Sequence, residues 1–291
     1  MKLASCHFLI YILFLFLPHP TLKVIPTHFQ FLFPNEKRAG QIIYQKTDAP
    51  LFIEQRAFSS ALTKKIEPLQ WAAIPLLTNK TNTFVHIKNK PSGLYFKTME
   101  WGYQSIKITY PYKVENIRLP TSVKEMIDGT SEDQILSEKK LNYEILSQVT
   151  ETRLPHCWTA PITSTSASGF AKPRYLENGH FYYHTGTDLR APSNTPIKAA
   201  SDGIVAFAKH QTIPGNMIVI DHGQGVFSRY MHLKQFLVNV GDKVSQGQVI
   251  GKSGSTGRST GPHLHWEIVW KESFVDAFDF LQFSEEICDQ G

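Results

Sequence analysis

Apolar and polar residues along this chain keep to two periods, and the alternation of strands comes first. From about Gly40 to Pro111 the runs are Gln41-Ile42-Ile43-Tyr44, a turn at Asp48-Ala49-Pro50, Leu51-Phe52-Ile53, and Ser105-Ile106-Lys107-Ile108-Thr109-Tyr110. Successive side chains of a strand point to opposite faces, so residues 38–115 read as a small β domain with one face buried. A helical period follows. Ser131 has Gln134 three residues on, a capping-box arrangement, and Leu141, Ile145 and Val149 recur at four-residue spacing. This predicts a helix with an apolar stripe, acting as a connector within a linker over residues 120–152.

Between Pro155 and Gly169 the composition turns to Pro, Ser and Thr, which marks the entrance to a second domain over residues 155–285. Short β runs then dominate: Ile204-Val205-Ala206-Phe207, Met217-Ile218-Val219-Ile220, Phe227-Ser228-Arg229-Tyr230, Val238-Asn239-Val240 and Gln248-Val249-Ile250, separated by Gly, Asp and Asn. Strands this closely spaced, with no helical period between them, predict antiparallel sheets and a mainly β protein. No repeat of solenoid period is present.

Composition changes the picture little. Of the 291 residues, 42% are apolar and 19% charged, which is the balance of a globular protein. The formal charge of +5 is mild, and no dense Lys/Arg run marks a nucleic-acid footprint, so nucleic acid is not expected as a partner. The N-terminus says more. Lys2 precedes an uncharged apolar run from Phe8 to Leu17, followed by Pro18, His19 and Pro20, which predicts an export signal over residues 1–25. The run is short for a membrane span, yet no small-x-small cleavage site follows it, so both a cleaved signal and a retained membrane anchor stay open. Leu3-Ala4-Ser5-Cys6 precedes the apolar core rather than following it and is not a lipoprotein box. Export leaves Cys157 and Cys288, either as a disulfide or as two free thiols.

Three compact motifs carry candidate chemistry: His184-Thr185-Gly186-Thr187-Asp188, Tyr230-Met231-His232-Leu233 and His263-Leu264-His265. Zinc is held by imidazole nitrogen and carboxylate oxygen, and a catalytic site uses three protein ligands with a fourth position left for water. His184, Asp188 and His265 meet that count, for one zinc ion per chain. On a strand His263 and His265 share a face, so one can bind the metal while the other handles the proton of a nearby water. Such an ion acidifies water and polarises a carbonyl, and amide hydrolysis is its natural use. His232 is a candidate donor to the developing oxyanion, and Asn216 and Tyr230 are candidate substrate-groove residues.

The same motifs, with Ala199-x-x-Asp202-Gly203-x-Val205, Gly215-Asn216-x-x-x-Ile220-Asp221-His222-Gly223, Val240-Gly241-x-x-Val244-x-x-Gly247-x-x-Ile250-Gly251 and Ser253-Gly254-x-Thr256-Gly257-x-x-x-Gly261-Pro262, resemble the lysostaphin and LytM-type zinc metallopeptidases. The resemblance runs from about Trp158 to Leu281. It implies a peptidoglycan endopeptidase of the periplasm or cell envelope, with ligands at His184, Asp188 and His265, catalytic histidines at His232 and His263, and a peptidoglycan peptide as partner. Because none of these five is replaced, it also disfavours the rival reading, a non-catalytic wall-binding protein or activator of other hydrolases. The segment from Gly40 to Asp48 is similar to the β domain that precedes the peptidase in some periplasmic relatives.

The remaining residues have blander readings. His222, in Asp221-His222-Gly223, reads as part of a hairpin turn, and His180 and His210 lie in loop-like stretches. Glu267 shares the face of His265 and either orients it or is a solvated or hairpin-pairing carboxylate. Val240 to Ile250 resembles the hairpin of lipoyl and biotinyl carrier domains, but the lysine context of those carriers is missing, so a shared sheet arrangement is the expected cause.

Overall fold

The computed structural model describes residues 113–151, 157–270 and 273–288, together with the backbones of seven strands before them. Those strands form two small sheets. One has the order β1 (Glu36–Arg38), β7 (Gly102–Thr109), β6 (Phe84–Asn89), β3 (Leu51–Glu54), and the other β2 (Ile42–Lys46), β5 (Leu69–Ala73), β4 (Lys64–Ile66). Three expected runs are therefore strands. The turn at Asp48-Ala49-Pro50 and the export segment, residues 1–25, lie outside the described residues. Among the described residues, no helix is long and apolar enough to cross a membrane.

Residues 113–151 are built as strand β8 (Glu115–Ile117), helix α1 (Thr121–Asp128) and helix α2 (Glu132–Leu146). Ser131 caps α2, its side chain accepting from the Gln134 backbone N–H at 3.2 Å, as the capping-box spacing predicts. The expected Leu141-Ile145-Val149 stripe does not form. The helix stops at Leu146, and Leu141 and Val149 are exposed. Instead the C-terminal turn docks, with Ile145 and Leu146 against Phe207, Met217, Val219, Phe227, Met231 and Val269. Polar anchors replace the missing apolar ones: Glu138 accepts from the Thr212 backbone N–H at 2.9 Å, and Asn142 donates to Gln211 at 2.9 Å.

The C-terminal sheet contains β9 (Ser166–Ser168), β12 (Thr187–Arg190), β13 (Pro196–Lys198), β14 (Gly203–Gln211), β15 (Gly215–Asp221), β16 (Val226–Phe236), β17 (Lys243–Val244), β18 (Val249–Ser253), β19 (His263–Trp270) and β20 (Ser273–Val275). Its main order is β17-β14-β15-β16-β19-β12-β9, and every pairing in it is antiparallel. A separate small sheet joins β8 to β10 (Pro173–Leu176) and β10 to β11 (Phe181–Tyr183), so a strand that precedes the linker is paired into the C-terminal half. Val238-Asn239-Val240 is not a strand, because the chain turns there before the short β17. Nor do β17 and β18 form a carrier-type hairpin: β17 pairs with β14, and β18 with β13 and β16.

Alternation sorts the central strands into two faces. Ile218, Ile220, Tyr230, Leu264, Trp266 and Ile268 enter the main core, which helix α3 (Ala277–Cys288) closes with Phe280 and Phe283. Met217, Val219, Phe227 and Val269 face the other way, beneath α2. Cys157 and Cys288 are joined in a disulfide with Cα atoms 4.9 Å apart, which settles their pairing. Closing a loop of 131 residues removes chain entropy from the unfolded state, a stabilisation of about 5 kcal/mol in the loop-closure treatment.

Candidate metal centre

The face beneath α2 turns polar toward one end, and the candidate site lies there. Asp188 and His265 stand directly opposite each other in the β12–β19 pair, with Arg190 opposite His263. Leu264 and Trp266 take the core face, which leaves His263, His265 and Glu267 together on the other. His184 arrives from the loop before β12. Gly186 permits that approach, since a Cβ there would lie 2.5 Å from the Trp266 carbonyl oxygen and 2.8 Å from His265 Nε2.

Three ligand atoms converge. His184 Nε2 lies 3.0 Å from Asp188 Oδ1 and 2.9 Å from His265 Nδ1, and His265 Nδ1 lies 2.8 Å from Asp188 Oδ1. The other nitrogen of each ring is committed elsewhere. His184 Nδ1 donates to the Gly169 carbonyl at 2.8 Å, and His265 Nε2 donates to Glu267 at 2.9 Å. Each neutral imidazole therefore turns a lone pair, not an N–H, toward the carboxylate oxygen. Three acceptors meeting at one point demand a positive charge between them, and two imidazoles with a carboxylate are a zinc-type donor set. The same demand is visible in protonation: burial opposes it, yet the carboxylates of Asp188 and Glu267 hold the His265 imidazole up to about 9. Burial brings His184 down to about 4, even with Asp188 beside it. Asp188 stays ionised, because the histidine pair outweighs its burial.

Two supports hold this group. Glu267 is buried and takes Arg229 on its second oxygen at 2.6 Å and the Thr185 hydroxyl on the first. Burial would raise its pKa, but Arg229 and His265 keep it at about 2, so it is the orienting partner of His265 and not a solvated carboxylate. Asp188 gives its other oxygen, Oδ2, to Arg174 Nη2 at 2.8 Å. Arg174 Nε in turn donates to Glu115 at 2.9 Å, and Lys172 also bonds Glu115. Sequence reading missed Arg174 and Glu115. Neither stands in a motif, and only the β8–β10 pairing brings residue 115 to residue 174.

His232 reaches the site through a break in alternation. Between Tyr230 and Leu233 strand β16 advances three residues while β15 advances two, from Ile218 to Asn216. His232 takes a positive φ of 59°, rare for a non-glycine residue, and its backbone N–H bonds the Pro214 carbonyl. The bulge swings the ring to the polar face, where its centroid is 4.8 Å from that of His263. His232 Nδ1 donates to the Thr256 carbonyl and His263 Nδ1 to the Gly261 carbonyl, each at 2.8 Å. His263 Nε2 is 3.6 Å from Asp188 Oδ1. These histidines and the cluster line one cavity of about 1010 Å³, whose far wall is α1 and α2 through Lys124, Ile127, Ile135, Glu138 and Asn142.

The two groove candidates do not join them. Tyr230 precedes the bulge and so stays on the core face, fully buried, with Oη accepting from the Ala200 backbone N–H at 2.8 Å. The Asn216 carboxamide turns away from the cavity to His210 Nδ1 at 3.0 Å and the Lys234 carbonyl. His210 sits on strand β14 rather than in a loop, and His180, in the turn between β10 and β11, lines the cavity. His222 does lie in the turn between β15 and β16, as its sequence context predicts. It is buried, with Nδ1 donating to the Asp202 carbonyl at 2.6 Å and Nε2 lying 2.7 Å from Ser228 Oγ.

The antiparallel sheet thus presents two imidazoles and a carboxylate to one point, with two further histidines alongside, a donor set suited to a metal ion. Residues 182–277 match the model of peptidase family M23, and the chain carries an M23 peptidase domain. Over 94 residues it is 47% identical to the peptidoglycan DD-endopeptidase ShyA of Vibrio cholerae, an alignment that covers 32% of this chain and 22% of ShyA. Over 84 residues it is 49% identical to the DD-carboxypeptidase/endopeptidase Mpg of Neisseria meningitidis, covering 29% of this chain and 19% of Mpg. The chain thus spans about a fifth of the length of these relatives. A crystal structure described as a peptidase M23 from Pseudomonas aeruginosa superposes with a TM-score of 0.57 at 22% identity, over 84% of this chain and 93% of that one, and shares the fold.

Proposed function

We propose that this chain is an exported zinc endopeptidase that hydrolyses peptide bonds in peptidoglycan crosslinks. The observation that carries the reading is the convergence of His184 Nε2, Asp188 Oδ1 and His265 Nδ1, three acceptor atoms with no hydrogen among them in the neutral ring forms. A zinc ion held there supplies Lewis acidity to a carbonyl and to a water. The chain's own groups do the rest. With Nδ1–H of both His232 and His263 given to backbone carbonyls, each ring offers Nε2 to the cavity as a proton acceptor. His263, nearer Asp188, takes the proton of the attacking water and returns it to the leaving amine. His232 accepts a hydrogen bond from that water and orients it. This changes the role expected from sequence, since a ring bonded in this way is no donor to an oxyanion until it is itself protonated. Arg174 restricts Asp188 to one free oxygen, and Glu267 fixes the ring of His265.

The relatives' names point to cell-wall peptide as substrate, and hence to the periplasm or envelope. The Cys157–Cys288 disulfide supports the same location, because such bonds persist in oxidising compartments. The purified chain should clear a suspension of peptidoglycan, lose that ability with a chelator and regain it with zinc, and mass analysis of the released fragments identifies the bond cut. Clearing that survives chelation would remove the metal from the reaction. Binding to the wall without fragment release would leave a non-catalytic partner of other hydrolases.

A further inference from the structure

Three arginines line the active-site cavity, and two of them are neutralised: Arg174 by Asp188 and Glu115, Arg229 by Glu267. The third is different. Among the described residues no carboxylate lies within ion-pair distance of the Arg258 guanidinium, and its side chain makes no hydrogen bond to them. Its position is nonetheless fixed. The guanidinium carbon sits 4.5 Å from the centroid of the Tyr182 ring, and the backbone N–H bonds the Ile213 carbonyl at 2.9 Å. Along the loop, Arg258 falls between Thr256, whose carbonyl anchors His232, and Ser259, whose hydroxyl is 3.3 Å from His263 Nδ1. An unpaired cation is thereby held at the rim of the histidine pair.

A half-buried guanidinium with five N–H donors gives up hydration that Tyr182 offsets only in part, and neighbouring Arg174 adds repulsion. Stacking on Tyr182 orients the planar group but supplies no acceptor for its N–H edge. That edge matches an incoming carboxylate, which can take two parallel N–H···O bonds. We propose that Arg258 is a specificity residue of this site, binding a free carboxylate of the peptide substrate close to the amide that is cut. The proposal rests on the peptidase reading above and narrows it to peptides that carry an anionic group beside the scissile bond.

The test uses a crosslinked peptide dimer with free carboxylates and the same dimer with those carboxylates converted to carboxamides. Binding is measured by calorimetry on the zinc-loaded full chain in a His263→Ala background, so that nothing is turned over. The carboxylate dimer should bind about 10- to 100-fold more tightly than the carboxamide. Arg258→Ala should erase that preference by weakening the carboxylate dimer alone, and Arg258→Lys should keep part of it. With His263 restored, Arg258→Ala should raise KM for the carboxylate dimer far more than for the carboxamide dimer. Three results overturn the proposal: no preference with Arg258 present, a preference that survives Arg258→Ala, or equal weakening of both dimers, which marks Arg258 as packing for Tyr182. If the preference appears but neither dimer is cleaved with His263 in place, the peptidase reading fails while the carboxylate site stands.

Discussion

The same sheet buries two sets of histidine, and they differ in what their nitrogens meet. Around His222 a row of polar groups is paired in sequence. Nδ1 donates to the Asp202 carbonyl, Nε2 faces Ser228 Oγ, Ser228 lies 2.9 Å from Tyr230 Oη, and Tyr230 accepts from the Ala200 N–H. Hydroxyls both donate and accept, so this row closes on itself. At His184 and His265 the outer nitrogens are equally well anchored, but the inner ones converge with Asp188 on a shared centre. Burial alone therefore separates nothing; a satisfied network marks structure, and convergent acceptors mark a cation site.

Substitutions should divide along this line. His265→Ala should produce the largest effect, with wall clearing falling to background and bound zinc lost while circular dichroism stays native. Retained activity would show that the convergence is not the site. Next comes pH. Burial brings the folded-state pKa of His222 down to about 4, below its ordinary 6.5, so the unfolded chain takes the proton first. Stability is full above pH 6.5, falls by on the order of 3 kcal/mol as pH drops toward 4, and this part then levels off. Urea unfolding across that window should show the loss, and His222→Gln should make it smaller by that amount, leaving the part due to the other buried histidines. Glu115→Gln, acting through Arg174, should weaken zinc binding by about tenfold in a competition titration with little change in melting temperature. The smallest expected effect is that of Tyr230→Phe, a stability loss of about 1 kcal/mol with KM and kcat unaltered. A raised KM would return Tyr230 to the groove.

What could be read ahead of the structure followed from local rules. Ser131 and Gln134 announced the start of α2, because a cap and its partner lie within one turn. The end of that helix was misplaced, because Val149 fits the four-residue spacing but lies exposed beyond the last turn at Leu146. The pairing of His263 with His265 on one face was legible from strand alternation. Applied to Tyr230 and His232, the same rule fails, for the bulge separates them. Glu115 and Arg174 were invisible, since their contact exists only through a parallel strand pair that no short-range pattern encodes.

The sequence by itself determined the donor types, the mainly β class and the position of the three motifs, because residue chemistry and side-chain period are properties of the chain alone. Tertiary structure decided which atoms meet. Strand register set Asp188 opposite His265, and a positive φ at His232 carried one ring across the sheet. A strand from outside the family-matched region braced the carboxylate through Arg174. Each of these depends on contacts between distant segments, whose energies enter only once the chain has folded.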